Sequence, residues 1–244
     1  MYFHVVINSI TSKKILFKLA YKESVKFMLD KLIIFDMDNT ILCSSIDFDK
    51  MLVQVHSLLR DAGFVQYCRQ SVADTILTYT DSAECDKQLV EQLWKCVAKL
   101  EDEGLYAARL EPGAAEALEY LSQYAVLTVL TNNTDNNLAQ HLGRLGALPY
   151  LSCVAGRDSV GRLKPAPDGM QWVMAHYPDI PISNVIAVGD AWNDAAAAAA
   201  AGIRFAAYNN SRDENWAEHG IVPRVKLTNW DKNSCELLLC ALNK

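Results

Sequence analysis

Two aspartates, Asp36 and Asp38, stand directly behind the apolar run Leu-Ile-Ile-Phe. Residues two apart on an extended chain point the same way, so both carboxylates should face one cleft if the run is a strand. Taken alone, the pattern serves a structural turn or an unrelated metal site as readily as catalysis. Its companions decide. Thr131 and Asn132 end a second apolar run and offer a hydroxyl and an amide to phosphate oxygens. Lys164 sits in Gly161-Arg162-Leu163-Lys164-Pro165-Ala166-Pro167-Asp168, where the prolines restrict the backbone and Pro167 can start a helix. A lysine held in this way is suited to pairing with a phosphate and with Asp36. Asp190 and Asp194, in Gly189-Asp190-Ala191-Trp192-Asn193-Asp194, follow a third apolar run. So many carboxylates at one place would repel each other unless a cation stood among them. Hard oxygen ligands suit Mg²⁺, which binds through one or two carboxylates together with substrate phosphate.

The elements that must position these residues alternate short β-branched runs with helical patterns, which predicts βαβ units, a mostly parallel sheet and a doubly wound α/β fold. Strands are expected at 32–35, 125–130, 151–154, 185–188 and 203–208, and helices at 113–123, 135–145, 167–175 and 193–201. The alanine run 195–201 reads as a tightly packed helix with Asp194 at its cap. Between 46 and 108 there is no strand pattern. Met51, Leu52, Val55, Leu58 and Leu59 share one helical face, and Leu89, Val90, Leu93, Trp94, Val97 and Leu100 another. The expected organisation is therefore an α/β core at 28–45 and 109–244, an all-α insert at 46–108, and an N-terminal appendage at 1–27 that is weakly ordered.

The segments FDMDNT, LTN, GRLKPAPD and GDAWND, in this order and each after a strand or before a helix, resemble the four motifs of the haloacid dehalogenase-like superfamily. The helical insert resembles the cap of its phosphoglycolate phosphatase and β-phosphoglucomutase subgroup. The resemblance implies a Mg²⁺-dependent phosphatase acting on a small phosphorylated metabolite. It makes Asp36 the nucleophile that becomes phosphorylated, and Asp38 the acid and base whose backbone carbonyl helps hold the metal. It gives Thr131, Asn132 and Lys164 the phosphoryl group, makes Asp190 a direct metal ligand, and leaves Asp194 behind the ligands or orienting Lys164.

Rival readings remain open. A phosphomutase would use the same core and differ in how the cap excludes water. A dehalogenase of this superfamily would lack the second acid of the first motif, and Asp38 is present. A non-catalytic binding module would be favoured by loss of a motif acid, and none is lost.

Composition sets outer bounds. The 244 residues are 51% apolar and 21% charged, as in globular proteins. The net charge of −6 and the lack of a basic stripe argue against a nucleic-acid partner. No apolar run has the ~18–20 residues needed to cross a bilayer, and the N-terminal stretch lacks a signal-peptide pattern. Seven cysteines without a CxxC pair read as buried thiols of a cytoplasmic protein. Arg60, Arg69 and Tyr79 are equally surface, packing or ligand residues, the five histidines receive no role, and the sequence leaves the oligomeric state open.

Overall fold

The computed structural model describes residues 29–64, 71–208, 216 and 220–243. The expected appendage at 1–27 lies outside them, as do His4, Cys68, Arg69 and His219. Six strands form one parallel sheet: β1 (Leu32–Phe35), β4 (Val126–Leu130), β5 (Cys153–Ala155), β6 (Val185–Gly189), β7 (Arg204–Tyr208) and β8 (Val225–Leu227), in the order β5-β4-β1-β6-β7-β8. β1, β4 and β6 are buried at every residue, the mark of strands covered on both faces. Alternation divides their side chains between two cores. Ile33, Phe35, Leu127, Val129, Ile186 and Val188 enter one; Leu32, Ile34, Val126, Leu130, Val185 and Ala187 enter the other.

On the first face lie α4 (Ala114–Leu121), α5 (Leu138–Arg144) and α8 (Lys232–Leu242), which contribute Leu118, Leu142 and Leu238 to the core. On the second lie α6 (Asp168–Ala175) and α7 (Trp192–Ala200). The alanines of α7 are small enough for the helix to pack against both β6 and β7. The fold is thus the expected doubly wound α/β sheet. The chain leaves β1 for β4 on one side and later reaches β6 on the other. That makes the carboxyl ends of these three strands the switch point where such sheets bind ligands.

Element ends differ by a few residues from expectation, each for a local reason. α5 begins at Leu138 rather than 135, because Asn137 adopts a left-handed φ of 60° and Asp135 Oδ1 accepts from Gly156 N. β5 begins at Cys153 because Leu148–Tyr150 forms a 3₁₀ turn whose last bond holds Leu151. Asp194 is not the cap itself: α7 starts at Trp192, and Asp194 reaches back to accept from Ala191 N at 3.1 Å.

Residues 48–106 contribute α1 (Phe48–Asp61), α2 (Val72–Thr80) and α3 (Lys87–Tyr106), which pack on one another. Met51, Val55 and Leu59 meet Leu89, Leu93 and Val97 in the buried interior. Where this stretch joins the sheet, β2 (Leu42–Cys43) and β3 (Arg109–Leu110) form an antiparallel pair. α3 crosses the outgoing chain so closely that a Cβ at Gly104 would stand 2.6 Å from Ile46 Cα. Tyr79 is buried packing: its ring meets Phe64, and its hydroxyl donates to Glu84 O and accepts from Asp86 N. Arg60 is exposed on the last turn of α1. Among the described residues no cysteine is in a disulfide, but only Cys235 is fully buried, and Cys240 is exposed on the outer side of α8; the expectation of uniformly buried thiols is corrected accordingly. No described helix is long and apolar enough to cross a membrane.

Candidate active site

Asp36 is the first residue beyond β1, and its amide still donates to Val188 O at 2.8 Å, so β6 fixes where the side chain leaves the sheet. Met37 turns into the core, which sends Asp36 and Asp38 to the opposite side. The turn is completed by Asn39 at φ 55°, a conformation asparagine tolerates. Its base is secured from the far end of the chain: Trp230 Nε1 donates to Thr40 O at 2.7 Å, and the Trp230 ring stacks on Tyr208 with centroids 4.7 Å apart.

Lys164 stands at the centre. Its Nζ donates to Asp36 Oδ1 at 2.5 Å, to Asp194 Oδ1 at 2.6 Å and to Leu130 O at 3.1 Å. Burial would lower the affinity of this ammonium for its proton, but the charges of Asp194 and Asp36 prevail and hold it above the ordinary lysine value. Asp36, Asp190 and Asp194 bring carboxylate oxygens within 4.8 Å of one another. Gly189 is what lets them converge, because a Cβ there would lie 2.5 Å from Asp194 Cγ. Burial pushes the Asp36 carboxyl well above its ordinary range; Lys164 pulls it down, and Asp194, Asp190 and Asp38 push it further up.

The structure brings Asp36, Lys164, Asp190 and Asp194 together. Asp38 lies beside them rather than among them, with Oδ2 accepting from Asn133 Nδ2 at 2.7 Å. Burial raises its carboxyl too, against the lowering effect of hydrogen bonds from Ser44 and Asn133. Thr131 is buried just past β4 and its Oγ1 accepts from Asn133 N at 3.2 Å. Asn132 sits differently from the sequence expectation. Its amide forms a two-way clamp with the main chain of Lys164, Nδ2 donating to Lys164 O at 3.0 Å and Oδ1 accepting from Lys164 N at 2.9 Å. The side chain expected on phosphate is thus engaged in placing the lysine.

Sequence reasoning did not single out Asn133 or Trp230. Asn133 extends the polar run Thr131-Asn132 by one residue, a signal that was legible; Trp230 lies outside every motif.

The profile of the haloacid dehalogenase-like hydrolases matches residues 33–208, from β1 through β7. The chain belongs to this family. Among curated relatives, a phosphoglycolate phosphatase of Neisseria meningitidis is 30% identical over 179 residues, 69% of this chain and 75% of the relative. Among solved structures, a protein from Haemophilus somnus described as a predicted phosphoglycolate phosphatase superposes with a TM-score of 0.59. It is 22% identical, and the match covers 82% of this chain and 94% of that one. A Bacillus subtilis hydrolase of the same superfamily, solved bound to magnesium, has a TM-score of 0.58 at 18% identity, covering 88% and 100%. At these identities the two structures bear on the fold. Within the family match lie all four motifs, so the acids and the lysine occupy the switch point of a hydrolase sheet.

Proposed function

We propose that this hydrolase is a Mg²⁺-dependent phosphatase of a small phosphorylated metabolite, resembling phosphoglycolate phosphatases, and that Asp36 carries the phosphoryl group between two half-reactions. The observation that carries this reading is the placement of Lys164 Nζ between Asp36 and Asp194, with Asp190 in the same group of acids. Three carboxylates against one ammonium leave a formal charge of −2 in a largely buried site. All the donors are hard oxygens, which fits a divalent cation of the Mg²⁺ type. Asp36 and Asp190 would hold it, with the backbone carbonyl of Asp38. Both oxygens of Asp194 already accept hydrogen bonds, from Lys164 and from Ala191 N, which favours an orienting role. When bound, Mg²⁺ would neutralise charge between the Asp36 carboxylate and the phosphate and polarise a phosphoryl oxygen.

In the first half-reaction an Asp36 carboxylate oxygen attacks phosphorus and the bond to the ester oxygen breaks. Asp38 gives its proton to the departing alkoxide. Burial raises this carboxyl above its ordinary value, the direction that favours its carrying the proton to be delivered. In the second, Asp38 as carboxylate takes a proton from water, the water oxygen bonds to phosphorus, and the acyl-phosphate bond opens to restore Asp36. Throughout, the Lys164 ammonium and the Thr131 hydroxyl face the charge on the equatorial oxygens, and electrostatic stabilisation of this kind dominates phosphoryl transfer. Asn132 acts through the Lys164 main chain. We further propose residues 46–108 as a cap over a core made of 28–45 and 109–244, the cap excluding water during transfer. Thiols that form no disulfide among the described residues support a cytoplasmic setting.

The test is a panel of phosphorylated metabolites together with p-nitrophenyl phosphate, read by release of inorganic phosphate. The expected result is turnover with Mg²⁺ that disappears in EDTA and in Asp36→Asn. Undiminished turnover by Asp36→Asn would overturn the phospho-aspartate, and conversion of a sugar 1-phosphate to its 6-phosphate without free phosphate would establish the mutase instead.

A further inference from the structure

α3 carries a carboxylate inside its apolar stripe. Glu101 lies one helical turn beyond Val97 and is only 3% exposed, beside the buried Leu93, Val97 and Leu100. A charge at that depth is costly unless it is fully partnered. The partners come from two core loops that end strands of the site. Arg157 Nη1, beyond β5, donates to Glu101 Oε1 at 2.6 Å, and Thr134 N, beyond β4, donates to Oε2 at 3.0 Å. Trp94, two turns before Glu101 on the same helix, places its ring 4.7 Å from the Arg157 guanidinium carbon. One face of α3 therefore grips Arg157 by charge and by ring.

The gripped loops are the ones that hold the catalytic groups. Arg157 Nη1 also donates to Asn132 O at 3.2 Å, and its backbone amide donates to Asn133 O at 2.8 Å. Thr134 Oγ1 and Asp135 N donate to Asp158 Oδ2 at 2.6 and 2.9 Å, bracing the two loops into one unit. From that unit Asn132 clamps the main chain of Lys164 and Asn133 holds the Asp38 carboxylate. The amide bound by Glu101 belongs to the residue after Asn133.

We propose that Glu101 is a positioning residue: paired with Arg157, it ties α3 to the 131–135 loop and so fixes Asp38 and Lys164 in their working geometry. The catalytic half of this inference rests on the phosphatase reading; the mechanical half does not.

Both halves are tested on the whole 244-residue chain with Glu101→Gln, which keeps size and one acceptor but loses the charge. Arg157→Lys provides the same readouts should the first variant not fold. Hydrogen exchange is followed along the chain, and steady-state hydrolysis of p-nitrophenyl phosphate is measured with Mg²⁺. A misplacement of about 1 Å at a reacting group costs roughly 10²-fold, so kcat is expected to fall by about 10- to 100-fold with KM nearly unchanged. Exchange is expected to rise in peptides spanning 36–42 and 160–166 as well as around the substituted contact. Faster exchange confined to 94–104, 131–135 and 157, or an unchanged kcat in a protein that turns over substrate, would overturn the proposal. If native protein showed no turnover while exchange spread to 36–42 and 160–166, the phosphatase reading would fall and the mechanical tie would stand.

Discussion

Replacing Asp36 by Asn should make the metal-free protein more stable, not less. The side chain keeps its shape, and its amide oxygen can still accept from the Lys164 ammonium, which retains Asp194 at 2.6 Å. What disappears is a negative charge that burial and three neighbouring acids disfavour, so that its carboxyl binds a proton well above the ordinary value of 3.8. An acid with a raised pKa in the folded state contributes nothing below its unfolded value, where both states are protonated. As pH climbs past 3.8 the unfolded chain ionises first, and the penalty on the native fold grows until the folded pKa is reached. Asp36→Asn removes this penalty, worth about 1.4 kcal/mol for each factor of ten in proton affinity. One such factor would raise Tm by roughly 3–5 °C in a chain of this size. Saturating Mg²⁺ should reverse the order, since a ligand at a hundred times its Kd stabilises by about 2.7 kcal/mol and, on the proposed role of Asp36, the variant lacks one anionic ligand. The assay is thermal unfolding of both proteins from pH 4 to 8, in EDTA and in Mg²⁺. A variant less stable than the native protein in EDTA at pH 7, with a gap that does not change with pH, would refute the reasoning. It would mean that the Lys164 pair outweighs burial and repulsion together.

Lys164→Met should lower kcat by roughly 10²–10³-fold, the cost typical of losing one preorganised donor to a developing charge, as measured with saturating p-nitrophenyl phosphate and Mg²⁺. Full activity in that variant would remove Lys164 from the site. Trp230→Phe retains the ring against Tyr208 but leaves the buried Thr40 carbonyl without its indole donor. Urea unfolding should therefore show a loss of about 1–3 kcal/mol, and an unchanged midpoint would show that the bond does not secure the first-motif turn.

The central sheet was legible because its inner strands are short, almost wholly apolar runs that lead into polar ones. Leu-Ile-Ile-Phe, Val-Leu-Thr-Val-Leu and Val-Ile-Ala-Val-Gly are buried at every position, and such runs have few other places to go in a globular chain. The two-residue strands β2 and β3 offer no periodicity at all, and β8, Val-Lys-Leu, offers one alternation. α8 did carry a signal, since Asp231 caps it by accepting from Ser234 N at 2.8 Å and its apolar residues recur at helical spacing. Its significance depends on where Trp230 points, and that is decided by contacts with β1 and β7 rather than by its neighbours in sequence.

The same distinction separates the legible part of the site from the rest. Asp36, Thr131 and Asp190 could be placed because each follows a strand, and adjacent parallel strands deliver their ends to one edge whatever the intervening chain does. Lys164 needed only a stiff loop beside them. Asn133, Glu101 and Trp230 each make a decisive contact with a residue 95, 56 or 190 positions away, Asp38, Arg157 and Thr40, and no local pattern encodes such a pair. Glu101 nonetheless left a trace as an acid on an otherwise apolar helical face. In a stripe that must be buried, such a residue requires a buried cation, and Arg157 is the cation that the fold supplies. An acid that interrupts an apolar stripe therefore marks the point where one packed layer is fastened to another, and here the fastening lies one peptide unit from the group that holds the proposed acid catalyst.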